Sequence, residues 1–284
     1  MANDIGLGLS FVPLLALAIL PTLAVVELAK ALRWQVLMGA ARLDYPRCLR
    51  ALVAGQLTNA LLPLRAGDVV SVGLVKAEGG PLLAGTAALA AIKALDTLCL
   101  AGLAAAFLGT ALLRQTRLGL GLLAAVLICG LALALLQGRG LRWRQGFTSM
   151  CSAFVHGLLE LAVGMRNWRV LVSLVVTSGA VWTAGLAANW LVLLATGIPP
   201  SLDLVVRLLL AGYIVGLLPA PPVRAGMFEA GIAAVLNPAG VSLTQSLTAG
   251  VILHIAQLAE LALLLLVSLA VAKRGRAAVV FAAG

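Results

Sequence analysis

The stretch RALVAGQLTNALLPLRAGDVVSVGLV, residues 50–75, decides how this chain is read. Most of it is Leu, Ala, Val and Gly, yet its middle holds Asn59, Pro63, Arg65, Gly67 and Asp68. Proline lacks a backbone donor and collides with the preceding turn, so a helix breaks there. A helix broken at membrane depth leaves polar backbone groups unpaired unless protein or a watery cavity surrounds them. The first question is therefore whether the surroundings are lipid.

Composition answers it. The chain of 284 residues is 62% hydrophobic and 11% charged, and its mean hydropathy is +1.11. Soluble domains are about 45–50% apolar and about 25% charged, so there is too little polar surface here to cover a water-facing exterior. The reading is an integral membrane protein forming one transmembrane domain, 1–284. The formal charge of +10 does not point to nucleic acid. Its basic residues fall in short clusters beside apolar runs: KALRW (30–34), RCLR (47–50), RGLRWR (139–144), RNWR (166–169) and KRGR (273–276). Such flanks are expected on the cytoplasmic side of a membrane protein. Cys48, Cys99, Cys129 and Cys151 are far apart without ligand spacing, so they read as small core residues, and neither metal nor cofactor is expected. The N-terminal run lacks a basic start and a small-residue cleavage site, which predicts a retained helix.

A span needs about 20 apolar residues. Five runs qualify: 8–29, 81–110, 117–137, 169–196 and 243–271. The stretch 147–164, with His156 and Glu160, suits a helix lying at the interface. Two apolar segments, 49–77 and 204–238, are broken midway. The second reads RLLLAGYIVGLLPAPPVRAGMFEAGIAAVL from Arg207. Both run Arg, four apolar residues, Gly, then LLP, then RAG, then an acid (Asp68, Glu229). The next helix carries polar residues three apart in each case, Lys93 and Asp96, then His254 and Gln257. Glu260 continues the second face by another such step.

The shared order predicts an internal repeat. With basic flanks in the cytoplasm, the N-terminus lies outside and the C-terminus inside, and segments 49–77 and 204–238 enter from opposite faces. The expected fold is an all-α polytopic membrane bundle with two inverted repeats, each containing a broken re-entrant helical segment. The halves are 1–113 and 168–276, joined by a linking and interfacial region, 114–167, and followed by a short tail, 277–284. Paired broken segments in inverted repeats point to a transporter with a midplane site.

Charges within a bilayer are costly and usually face the bundle interior or a cavity. Arg65 and Arg224 each follow a proline break and precede a helix start, an arrangement suited to an anion such as phosphate; the alternative is pairing with the neighbouring acid. Asp68 and Glu229 fall in the first turn after each break, where carboxylates suit the helix dipole. Lys93 and Asp96 share a helix face and are expected to form an ion pair with each other, with an ion relay as alternative. His254 reads as a satisfied packing residue or a pH-sensitive group. Gln56 and Asn59 suit either headgroup hydroxyls or the broken backbone. Trp190 is placed in an interfacial belt, and the deeper Trp182 lining a cavity. No GxSxG, HExxH, P-loop or dinucleotide fingerprint occurs, so no catalytic residue is nominated.

With these residues in place, the chain resembles a known family. ALRWQVLMGAARLDYPRCLRALVAGQLTNALLPLRAGDVVSVGLV (31–75) looks like that family's RW helix end and its Q-x-x-N-x-x-x-P-x-R-x-G-E/D segment. LPAPPVRAGMFEAGIAAVL (218–236) looks like its P-x-P-G-G-x-G-x-x-E segment. The family is the lysylphosphatidylglycerol synthase transmembrane, flippase-like family, and the chain resembles a stand-alone member without the synthase domain. Val223 and Arg224 stand where that pattern has two glycines, and His254 where arginine is commoner. The resemblance implies handling of phosphate-bearing lipids in the bacterial inner membrane.

The sequence thus predicts a lipid translocase binding an anionic or phosphate-linked headgroup in a central polar cavity. The alternative is an integral-membrane enzyme or accessory subunit in lipid-linked glycan, hopanoid or aminoacyl-lipid synthesis. Expected partners are membrane lipids, with a second copy of the chain and a lipid-synthesis enzyme as further candidates.

Overall fold

The computed structural model describes residues 3–39, 43–62, 66–114, 166–217 and 222–282. Among these residues eight α-helices follow in order: α1 (Asn3–Leu37), α2 (Tyr45–Leu61), α3 (Ala66–Ala77), α4 (Leu82–Arg114), α5 (Trp168–Ala195), α6 (Leu202–Leu217), α7 (Met227–Leu236) and α8 (Leu243–Ala282). Short 3-10 turns, Pro222–Arg224 and Asn237–Ala239, precede and follow α7. Among the described residues there is no strand. The runs 117–137 and 147–164 lie outside the described residues, as do Pro63 and Arg65.

Among the described residues, three segments are long and apolar enough to cross a bilayer: Leu82–Ala104, Trp168–Ala195 and Leu243–Lys273. Their outer faces bear this out. Leu263, Leu266 and Val267 on α8 and Val172, Val175 and Val176 on α5 are all exposed. A contiguous apolar exterior would drive association in water, whereas lipid solvates it. The chain is a transmembrane helical protein.

Packing organises around α1, which lies most extensively on α5 and also touches α2, α4 and α8. One apolar cluster gathers Ile19 and Leu23 of α1 with Val192 and Leu193 of α5, Leu208 of α6, Phe228 and Ile232 of α7 and Leu253 of α8. A second gathers Ala31 and Trp34, further along α1, and Met38, just past its end, with Cys48 and Leu52 of α2, Val75 of α3 and Ile92 of α4. The Trp34 indole N–H donates to the Gly85 carbonyl at 3.1 Å, which satisfies its one donor inside that cluster. Glu27 and Lys30 fall between the two clusters along α1.

Both expected breaks are present as helix boundaries. α2 and α3 fold against each other with almost no room: a Cβ on Gly67 would stand 1.8 Å from the Gly55 carbonyl oxygen. Only glycine permits that backbone contact. At the second break Val223 and Arg224 adopt φ of 61° and 52°. This left-handed region is natural for glycine and strained for a β-branched side chain.

One expectation is corrected. Helix 8–29 was to end before KALRW (30–34), leaving Lys30 and Arg33 on a cytoplasmic flank. Instead α1 runs on to Leu37, Arg33 is 0% exposed and Glu27 is 6% exposed. The charges stay inside because each has a partner of opposite sign there, which lowers the cost of burial.

Candidate functional site

Glu27, Lys30 and Arg33 recur at intervals of three, so they line one face of α1. Lys30 Nζ donates to Glu27 Oε1 at 2.9 Å. The other Glu27 oxygen accepts from the Gln56 amide of α2. One turn on, the Arg33 guanidinium donates to Asp96 Oδ1 of α4 at 2.7 Å and to Ser178 Oγ of α5 at 3.2 Å. Its Nε is buried without a hydrogen-bond partner. Tyr213 of α6 lies within electrostatic range of Lys30, Asp96, Glu27 and Arg33. The Tyr213 ring stacks on Trp182 of α5 at 5.2 Å between centroids, while the buried Trp182 indole N–H has no partner. Four helices thus contribute side chains to two hydrogen-bonded groups one turn apart on α1, Lys30–Glu27–Gln56 and Ser178–Arg33–Asp96.

The break between α2 and α3 is organised by Asn59. Its Oδ1 accepts from the Gly67 backbone N–H at 2.8 Å, and its Nδ2 donates to Asp68 Oδ1 at 2.9 Å. One side chain therefore satisfies a free donor at the start of α3 and fixes the first-turn acid. Asp68 also receives Lys93 Nζ of α4 at 3.0 Å. In the other half, Glu229 in the first turn of α7 meets His254 Nδ1 of α8 at 2.8 Å. The His254 ring packs against Phe228 at 4.8 Å, and Glu229 Oε2 is buried without a hydrogen-bond partner. In both halves, then, the acid that follows a break bonds a nitrogen on the next long helix. The sequence separation is 25 in each case.

The two breaks also meet. Arg224 Nη2 of the second approaches the Asn59 carbonyl, near the C-terminal end of α2, at 3.4 Å.

The expected ion pair between Lys93 and Asp96 does not form. Sharing one helix face, they reach to different helices, Lys93 to Asp68 and Asp96 to Arg33. Asp68 and Glu229 each have a base on the following helix in reach, Lys93 and His254, while Arg65 lies outside the described residues. Gln257 sits half-buried one turn beyond His254. Sequence reasoning missed Glu27, Arg33, Ser178 and Tyr213 as members of a buried layer. The signal for α1 was there: three charges at helical spacing continuing an apolar helix. Among the described residues, no group of three or more His, Cys, Asp or Glu side chains is placed to hold a metal ion.

The family described as the lysylphosphatidylglycerol synthase TM region matches residues 7–267. The chain belongs to this family. No curated protein and no solved structure matches. For this member of the lysylphosphatidylglycerol synthase TM region family, membership indicates a membrane protein related to lipid handling. The matched range takes in both breaks, α1 with its buried charges, and the His254–Glu229 pair.

Proposed function

We propose that the protein is a lipid translocase that passes an anionic or phosphate-linked headgroup along the polar interior while the tails remain in the bilayer. The observation that carries this reading is the meeting of the two breaks, where Arg224 approaches the Asn59 carbonyl. A guanidinium carries its N–H donors in a fixed planar fork that matches the oxygens of a phosphate. The buried charges of α1 add polar lining next to an apolar exterior, the combination a headgroup needs. Membership of a lipid-related family agrees with this.

The matching order of the segments from Arg50 and Arg207, and the matching acid-to-base separation, support two structural repeats. We propose that these are inverted, with re-entrant breaks, the N-terminus outside and the C-terminus cytoplasmic, in the bacterial inner membrane. Rocking of one half against the other would then alternate access. Arg65 is proposed to act with Arg224 on the headgroup.

The test is scrambling of fluorescent phosphatidylglycerol in reconstituted vesicles, with phosphatidylcholine as comparison. One charge-assisted hydrogen bond is worth about 1.5–3 kcal/mol, so Arg224→Ala should slow transfer by roughly 10- to 150-fold. Unchanged transfer by a folded Arg65→Ala/Arg224→Ala double variant would refute the reading. Chemical conversion of the lipid by purified protein would favour the enzyme alternative.

A further inference from the structure

Among the described residues, the buried layer along α1 holds five charged groups. Lys30 is paired with Glu27 and Arg33 with Asp96, which leaves those four neutral in sum. The fifth is Glu260 of α8, 4% exposed. Its Oε1 is buried and has no hydrogen-bond partner. Glu27 and Lys30 lie within its electrostatic range, and α1 and α8 pack directly on each other. An ionised Glu260 would put an uncompensated negative charge beside Glu27 in the apolar interior, which is strongly unfavourable. With a proton on Glu260 the five groups sum to zero.

We propose that Glu260 is an intramembrane proton-binding site, occupied while α1 and α8 are packed together. The helices packed against α8 are α1, α2, α5 and α7. α1 presents Glu27 and Lys30, with Arg33 committed to Asp96. α2 presents neutral Gln56, bonded to Glu27, and its Arg47 and Arg50 are engaged by Glu78. α7 presents Glu229, bonded to His254 of α8 itself. α5 carries Arg169 only at its exposed start, next to Trp168. Lys30 is therefore the nearby cation for two glutamates, and Glu27 already holds it.

Deprotonation leaves Glu27 and Glu260 competing for one lysine and opposes the contact between α1 and α8. Proton binding favours that contact, so acid strengthens it and alkali loosens it. Proton binding at this site is read out without lipid transfer.

The full chain in lipid nanodiscs is titrated from acid to alkaline buffer and followed by difference infrared spectroscopy. Beyond the bands of the exposed acids, the wild type should show a carboxylic C=O band that disappears with rising pH and is missing in Glu260→Gln. Thermal unfolding should show the acid-side gain in midpoint of the wild type reduced in that variant, which mimics the protonated side chain. Glu27→Gln removes the competing acid and frees Lys30, so the band should be lost at lower pH than in the wild type. A band that persists in Glu260→Gln overturns the proposal. A wild-type midpoint that follows sodium concentration instead of pH also overturns it. If Glu260→Gln fails to fold, Glu27→Gln decides, and a band titrating as in the wild type refutes the site.

Discussion

Replacing Asp96 by alanine tests whether the charges of α1 are a paired interior layer. Arg33 is 0% exposed, and Asp96 Oδ1 at 2.7 Å is its anionic partner. The guanidinium cannot shed its proton, and its Nε already lacks a partner. Removing one member of a buried pair costs about 3–5 kcal/mol. Ser178→Ala removes a neutral acceptor at 3.2 Å and should cost only about 0.5–1.5 kcal/mol. Arg33→Met with Asp96→Ala leaves no orphan charge and keeps much of the arginine volume, so the double variant should recover most of the loss. Equilibrium unfolding in mixed micelles, run as a double-mutant cycle, measures all four. A cost below about 1 kcal/mol for Asp96→Ala, the range of an exposed pair, would refute a buried layer. So would a double variant as unstable as the single one.

Two further predictions concern the breaks. Gly67→Ala forces a methyl onto the Gly55 carbonyl at 1.8 Å, which no side-chain movement relieves, and should destabilise by at least about 1–3 kcal/mol. Gly73→Ala, on the same helix with nothing within 4 Å of its Cβ position, should be neutral or stabilising by up to about 1 kcal/mol; equal effects in unfolding assays would rule out the close approach. Val223→Gly relaxes a β-branched residue at φ 61° and should raise stability by roughly 1 kcal/mol, since non-glycine strain of this kind costs about 1–3 kcal/mol and glycine returns part of it as chain entropy. A lower unfolding midpoint in that variant would refute the strain.

Much of the architecture was legible because it rests on local chemistry. Pro63 and Pro219 and their neighbouring glycines mark the two interruptions, and the structure sets helix boundaries at both. The expected runs 81–110, 169–196 and 243–271 correspond to the apolar spans within α4, α5 and α8, although α8 continues to Ala282, because a bilayer imposes length and composition on any helix that crosses it. Residues of the candidate site were legible as types but not as pairs. Asp68, Lys93, Asp96, Glu229 and His254 stood out as polar groups in apolar helices. Spacing alone paired Lys93 with Asp96, whereas the structure sends each to a different helix.

The reading of KALRW failed for a related reason. A basic cluster at the end of an apolar run looks the same in sequence whether it meets cytoplasm or enters the bundle. Its fate depends on whether acids on other helices, here Asp96, come within about 3 Å, and helix packing alone decides that.

What the sequence by itself determined was class and punctuation: an all-helical membrane chain, broken twice, with an acid after each break. Those properties depend on the solvent and on neighbours within a few residues. Tertiary structure decided the partners: Asn59 across the first break, Arg33 with Asp96, Glu229 with His254, Arg224 beside Asn59, and Glu260 with no hydrogen bond to Oε1. Electrostatic energy at close range depends on distance in space and on exclusion of water, and neither quantity is encoded in sequence separation.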